Sequence, residues 1–390
     1  MAGEAYDHLL ALVVLGVMFG AAVVVVPSLS YVNLLYLDQQ QLRNVALSAL
    51  KTIVFDEGYP ANWGSMHGLS QFDASDVKRF GLALLSDPSL YVLDPNKVQR
   101  LSFNPMGNLS YSKVRELLGL TGYDFSIVLR PQFNVEKSVK IGSDKKTVSF
   151  NVNVSRYGGQ PLPNAIVSAT MFYTMKGPGQ DDFDTRIMNM ENKYTDSLGR
   201  CNGAVSIPVA PGWEIKDVAV IFKVTVADRT TIVVSEQSTP NPTDVAKVSL
   251  VGDYIIATID EALPGSKDAR WIVNIMMYNS EGSVNLYNAT APPWGEPDLQ
   301  KGLRSIWSYI FPSLSYSEPS ILVFTIRTDI EGPGGRTFVL LIGPYTMWTQ
   351  GGVIDLNPAP VSSGASVSVQ RDVIIAGMAY ILELRLWKTT

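Results

Sequence analysis

Few residues of this chain have types and spacing that could do chemistry. Its two histidines, His8 and His67, do not form a paired-histidine metal motif, and no G-x-S-x-G elbow or phosphate-binding glycine loop before a lysine occurs. Cys201 stands alone, which excludes an intrachain disulfide and a cysteine zinc cluster. A serine or cysteine nucleophile needs a base such as histidine, and pairing His67 with Cys201 is arbitrary. Asp181, Asp182 and Asp184 form the one acidic cluster, just after Gly177-Pro178-Gly179. Carboxylates at that spacing in a loop can hold calcium; a solvated hairpin tip is the preferred reading. Asp56 and Glu57 read as solvated surface. Trp63, Trp271, Trp294, Trp307, Trp348 and Trp387 read as core and loop plugs rather than a sugar platform. Asn108, Asn153 and Asn288 head N-x-S/T sequons, glycan acceptors if the body lies outside the cell. The chain reads as a non-enzyme with no cofactor. A glycan-cleaving enzyme would need two carboxylates across a cleft, and none are marked.

The element that must position everything else is at the start. Leu9 to Val26 is a run without a charge or a strongly polar group, close to the roughly 20 apolar residues that cross a bilayer as a helix. A cleaved secretory signal needs a basic n-region and a small-residue cleavage site; here MAGEAYDH carries Glu4 and Asp7 and no Lys or Arg, so a retained segment is expected. From Leu34 the pattern turns amphipathic, with Leu42, Val45, Ala46, Ala49, Leu50, Ile53 and Val54 at three- and four-residue spacing. One helix from His8 to Phe55 follows, about 70 Å long. Pro27 removes one of its hydrogen bonds and can kink it. Gly16 and Gly20 make a G-x-x-x-G pair of the kind that lets helices approach closely, and Gly58-Tyr59-Pro60 ends the helix.

Composition narrows the class. With 46% hydrophobic, 10% aromatic and 17% charged residues, the chain suits globular domains plus an anchor and argues against disorder. A net charge of −5 without a Lys/Arg cluster leaves no footprint for nucleic acid. The positive-inside rule mildly favours an intracellular body, since Arg43 is the first basic side chain after the apolar run; the resemblance below overrides it.

After the helix come G-Y-P-A-N-W-G (58–64), F-G-L-A (80–83), L-D-P-N-K-V-Q-R-L (93–101) and R-E-L-L-G-L-T-G-Y-D-F (115–125). Asp94 with Pro95 marks one helix start, Ser112 is taken as the cap of a second that ends near Gly119, and residues 125–135 read as one strand. In this order the segments resemble archaeal type IV pilin-like proteins over about residues 5–135. The resemblance implies a helix that is first a membrane anchor and then a filament core, assembling with copies of itself and other pilin-like subunits at the cell surface, with Gly16, Gly20, Pro27 and Asp7 as assembly residues. It departs from the pattern in one respect: no basic stretch precedes a processing site, and Asp7 would be the fifth mature residue only if processing followed Ala2.

Residues 145–236 form a module of their own. Val148, Phe150, Val152 and Val154 alternate as in a half-buried strand, and "G-G-Q-P-L-P-N-A-I-V … Y-T-D-S-L-G-R" resembles Ig-like or transthyretin-like repeats, with turns that let strands reverse. Residues 246–390 are again β-rich, with a short helix expected at Leu303 to Ile310. The fold class is thus α+β, mostly β: a long hydrophobic helix (1–57), a pilin-like head segment (58–144), an Ig-like sandwich (145–236) and a β-rich C-terminal domain (246–390) able to complete the head. The expected function is structural, as a filament subunit; a monomeric membrane-tethered adhesin is the alternative.

Overall fold

A computed structural model describes residues 2–66, 72–84, 91–101, 107–143, 146–179, 183–236, 246–251, 254–260, 270–279, 282–288, 304–310, 321–328, 336–342, 354–356 and 366–389. The fold is mostly β with a small helical part. In chain order come α1 (Ala2–Phe55), β1 (Val92–Leu93), α2 (Pro95–Gln99), α3 (Tyr111–Leu117), β2 (Tyr123–Pro131), β3 (Phe133–Ile141) and β4 (Thr147–Arg156). They are followed by β5 (Ile166–Lys176), β6 (Phe183–Asn189), β7 (Lys193–Tyr194), β8 (Arg200–Ser206), β9 (Glu214–Val226) and β10 (Arg229–Glu236). The remaining strands are β11 (Ala246–Val251), β12 (Tyr254–Asp260), β13 (Arg270–Asn279), β14 (Gly282–Asn288), β15 (Arg304–Ile310), β16 (Ile321–Thr328), β17 (Arg336–Ile342), β18 (Ile354–Leu356), β19 (Ser366–Ile375) and β20 (Met378–Lys388).

The head is built from both ends of the chain. Its sheet runs β1-β19-β20-β2-β18, and β20 pairs antiparallel with β2 from Tyr123↔Lys388 to Pro131↔Tyr380. Tyr380, Leu382, Leu384 and Leu386 alternate onto one face with Phe125, Ile127 and Leu129, all buried, and the second half of α1 lies against β19 and β20. Period-2 alternation on the strands thus meets period-3.6 alternation on the helix in one core.

Leaving the head takes one residue. β2 ends at Pro131 and β3 begins at Phe133, so the segment 125–135, expected as one strand, divides between two sheets at Gln132. The sheet β3-β4-β8 packs on β10-β9-β5-β6, and the core between them holds Val148, Phe150, Val152 and Val154. β5 and β9 read as nearly continuous apolar runs because both of their faces are covered. Met171 and Phe222 point into that core, while Phe172 and Ile221 join a second one with Val323 and Leu341 of the sheet β14-β13-β16-β17. Polar contacts lace the second interface: Thr185 Oγ1 lies 3.1 Å from Thr325 Oγ1, and the Val339 N–H donates to Asp217 Oδ2 at 2.7 Å.

Two local expectations are corrected. Residues 304–310 form strand β15, paired antiparallel to β12 with Ala257↔Trp307, where a helix was expected. Ile306, Trp307, Tyr309 and Ile310 are β-branched or aromatic and suit a pleated surface. The cap of α3 is Ser110, not Ser112: its hydroxyl accepts from the Lys113 N–H.

Candidate functional site: an exposed helix and its cradle

α1 passes through two environments. Over residues 10–21 every side chain is exposed, with Leu12 at 74%, Leu15 at 69% and Phe19 at 70%. Apolar groups point to all sides there. Among the described residues no helix is long and apolar enough to cross a membrane; the backbone of α1 is helical throughout Leu9–Val26 and through Pro27, while the side chains of several residues in that run are not described. A Cβ added at Gly16 or Gly20 would meet nothing within 4 Å, so packing within the chain does not demand glycine at either place. At Asp38 the helix reaches the head, where Lys388 Nζ pairs with the carboxylate at 2.9 Å. From Leu42 onward one side is buried: Ala46, Leu50, Ile53 and Val54 are each no more than 3% exposed.

The end of α1 sits in a cradle made by three of the four motif segments, 58–64, 80–83 and 93–101. The last carbonyls of a helix lack intrahelical partners; here Leu82 N–H donates to Ile53 O at 2.9 Å and Ala83 N–H to Asp56 O at 3.0 Å. That approach requires a glycine beside it, since a Cβ on Gly81 would lie 2.1 Å from Asp56 O. Asp56 turns the chain by accepting the Gly58 N–H at 2.7 Å and pairing with Arg79 at 3.1 Å. Trp63 is fully buried, packs between Phe72 and Phe80 and donates from Nε1 to Gly81 O at 3.0 Å.

α2 closes the cradle with buried charge. Asp94 caps it, accepting the Asn96 N–H at 2.8 Å. Lys97, 1% exposed, donates to Ala83 O at 2.8 Å and lies 3.6 Å from Asp94 Oδ2. Arg100 has no exposed surface, donates to Gly64 O at 3.1 Å and Gly107 O at 2.8 Å, and stacks over Phe72; its Nη2 is buried without a partner. Burial raises the Asp94 carboxyl above its ordinary range and lowers Lys97, against the pull of Asp94 and Glu57. Burial also lowers Arg100 to about 10. Negative side chains at a helix C-terminus oppose its dipole; Arg79 and Lys97 offset Asp56 and Glu57 there.

Most other sequence candidates are structural or lie elsewhere. Among the described residues no group of three or more His, Cys, Asp or Glu side chains could hold a metal ion. Asp184 sits at the start of β6, paired with Arg186 at 2.7 Å; Asp181, Asp182, His67, Trp294 and Trp348 lie outside the described residues. The side chains of Asp7, Pro27, Trp271, Trp307 and Asn288 are likewise not described. His8 is exposed. Cys201 is a core residue of the sandwich, and burial pushes its thiol up. Trp387 is buried in the head. Asn108 is exposed just before the α3 cap; Asn153 is held in the central strand β4, where its Nδ2 donates to Glu136 at 3.3 Å.

No family model and no curated protein matches this chain. Among solved structures, trypsin-activated alpha-2-macroglobulin from Escherichia coli aligns with 62% of this chain and 19% of its own, at 11% identity and TM-score 0.21. The elastase-activated form of the E. coli protein aligns with 62% and 23%, at 10% identity and TM-score 0.22. The chain spans only about a fifth of the length of these proteins, and a likeness at this level assigns neither fold nor function.

The residues that sequence reasoning missed are charged and buried. Lys97 and Arg100 could have been found from their three-residue spacing after the Asp94-Pro95 start, which places them on one face of a helix. Glu383, with a 3% exposed side chain, is held by Arg130 at 3.2 Å and Arg385 at 2.6 Å. Burial raises its pKa, but the bonds from Arg385 and Ser368 and the charge of Arg130 more than reverse this and hold the carboxyl below its ordinary value. Arg130 comes from a different strand, so no local spacing announces that cluster.

Proposed function

We propose that this chain is a structural subunit, or minor subunit, of a type IV pilus-like extracellular filament, anchored in the membrane by α1 before assembly and packed through α1 against copies of itself afterward. The observation that carries the reading is the all-round exposure of the apolar residues 10–21, on a helix whose other end is fixed in a cradle. Each large aliphatic side chain taken out of water contributes roughly 1.5–3 kcal/mol, so this segment requires a lipid or protein environment. Between lipid and filament the hydrophobic term is absent, and close packing of small residues decides; Gly16 and Gly20 are the residues proposed for that contact. Resemblance of the motif segments to archaeal pilin-like proteins supports the same reading.

The test is to shear surface appendages from native cells and read the N-terminus of this protein by mass spectrometry in sheared and membrane fractions. Enrichment in sheared filaments with a start at Gly3 or Glu4 is expected. An intact start confined to membranes would overturn the filament reading in favour of a tethered surface binding protein. Gly16→Leu and Gly20→Leu should each impair assembly while the head still folds; normal filaments from both would remove the contact-face assignment.

A further inference from the structure

One buried charge in the cradle has no counter-charge. Lys97 has the Asp94 carboxylate 3.6 Å away, and Glu383 sits between Arg130 and Arg385. Arg100 has no exposed surface, yet among the described residues no carboxylate lies within ion-pair reach of it, and burial alone shifts its pKa. The stretches around it explain why. Residues 58–66 and 107–109 contain no Asp or Glu. Asp73, beside Phe72, is exposed and accepts the Ser75 N–H at 2.7 Å. Asp94, the one acid of residues 93–101, accepts the Asn96 N–H through Oδ1 and faces Lys97 with Oδ2.

The guanidinium can neither shed its charge nor share it with water. Burial lowers it only to about 10, so it stays protonated at neutral pH. Nε donates to Gly64 O at 3.1 Å and Nη1 to Gly107 O at 2.8 Å, and the Phe72 ring centre lies 4.7 Å from the guanidinium carbon. These partners are dipoles and a ring quadrupole, without net charge. Nη2 is buried and has no acceptor. A buried ion left unpaired is strongly destabilising, and buried N–H groups without acceptors add the cost of their lost hydration.

We propose that Arg100 Nη2 binds a chloride ion, enclosed as the head folds. The occupant carries negative charge to match the guanidinium, and a single charge completes the balance. It is small, because Arg100 offers no exposed surface through which a larger anion could reach it. The neighbouring walls are close: a Cβ on Gly64 would lie 2.6 Å from Lys97 N, and one on Gly107 would lie 3.1 Å from Phe72 O. A monatomic anion accepts N–H groups from any direction, whereas a carboxylate or a phosphate matches the guanidinium fork side-on. An ion that binds the folded head and not the unfolded chain stabilises the fold by mass action, so the cradle that receives α1 gains stability from chloride in its surroundings.

The inference does not depend on how α1 is housed, and its test uses the full chain in detergent micelles. Melting of the head is followed in sodium chloride and in sodium gluconate at equal ionic strength, gluconate being too large to be enclosed. Chloride should raise the wild-type midpoint by about 3 °C in a saturable way. Arg100→Met removes the charge and keeps an apolar chain in its place, and its midpoint should be the same in both salts. Equal wild-type midpoints, or the same chloride increment in Arg100→Met, would each overturn the proposal. Because the variant also loses the bonds to Gly64 and Gly107, a second measurement uses the wild type alone. Chain desalted into gluconate and then unfolded in nitric acid should release one chloride per chain, read by ion chromatography. Release of none sinks the assignment even where the variant fails to fold.

Discussion

The two halves of α1 are one continuous helix with opposite relations to the rest of the chain. Between residues 42 and 54 the buried side chains recur on one side and the head sheet supplies their partners. Between residues 10 and 21 no side is buried, and no described residue of the chain supplies a partner. The first kind of segment is specified by its own fold. The second has no partner among the described residues, so mutations in the two halves should report on different events.

The largest effect that would break this contrast is expected in the cradle. Gly81→Val forces a side chain into Asp56 O and should cost roughly 4 kcal/mol or more, unfolding the head by circular dichroism; a stable variant would show that the helix end is not clamped there. Asp94→Ala removes a cap and leaves the buried Lys97 charge without its carboxylate, a loss of about 3–5 kcal/mol in chemical denaturation. Ile53→Ala opens a cavity in the head core at about 3 kcal/mol, whereas Val17→Ala should leave head stability within about 0.5 kcal/mol and act only on assembly. Equal effects of these two on the melt would erase the distinction between the halves.

Acid sharpens the comparison at smaller amplitude. Glu383 has a folded-state pKa below its ordinary 4.5, so its stabilisation is complete above that pH and is lost as pH falls through the lower folded value. The wild-type melt should therefore drop more steeply than that of Glu383→Gln below pH 4.5. Asp94 acts with the opposite sign, because its raised folded-state pKa favours the protonated form and softens acid loss at the cradle. Smallest of all, Lys388→Gln at the exposed contact with Asp38 should leave the melt unchanged.

Much of this architecture was legible because its signals are local. The alternation from Val148 to Val154 marked β4, the Asp94-Pro95 pair marked α2, and the three-and-four spacing from Leu42 to Val54 marked the buried helix face. The motif glycines were visible as a pattern, but the reason for them was not: Gly81 is needed because a carbonyl from residue 56 passes beside it. The strand β15 was hidden because a short apolar run fits either period, and its partner β12 lies some fifty residues earlier. The Arg130–Glu383–Arg385 cluster was illegible for the same reason, as its members are joined only by the sheet.

The pairing of β20 with β2 has a consequence for synthesis. α1 and its cradle come before the sandwich in the chain, whereas β19 and β20, the strands that lie against α1, come after it. Until residue 388 has been translated, Ala46, Leu50 and Ile53 have no β19 or β20 to lie against, and α1 is sticky along both of its halves. A chain that stops before β19 should therefore leave the inner face of α1 uncovered however well its middle has folded.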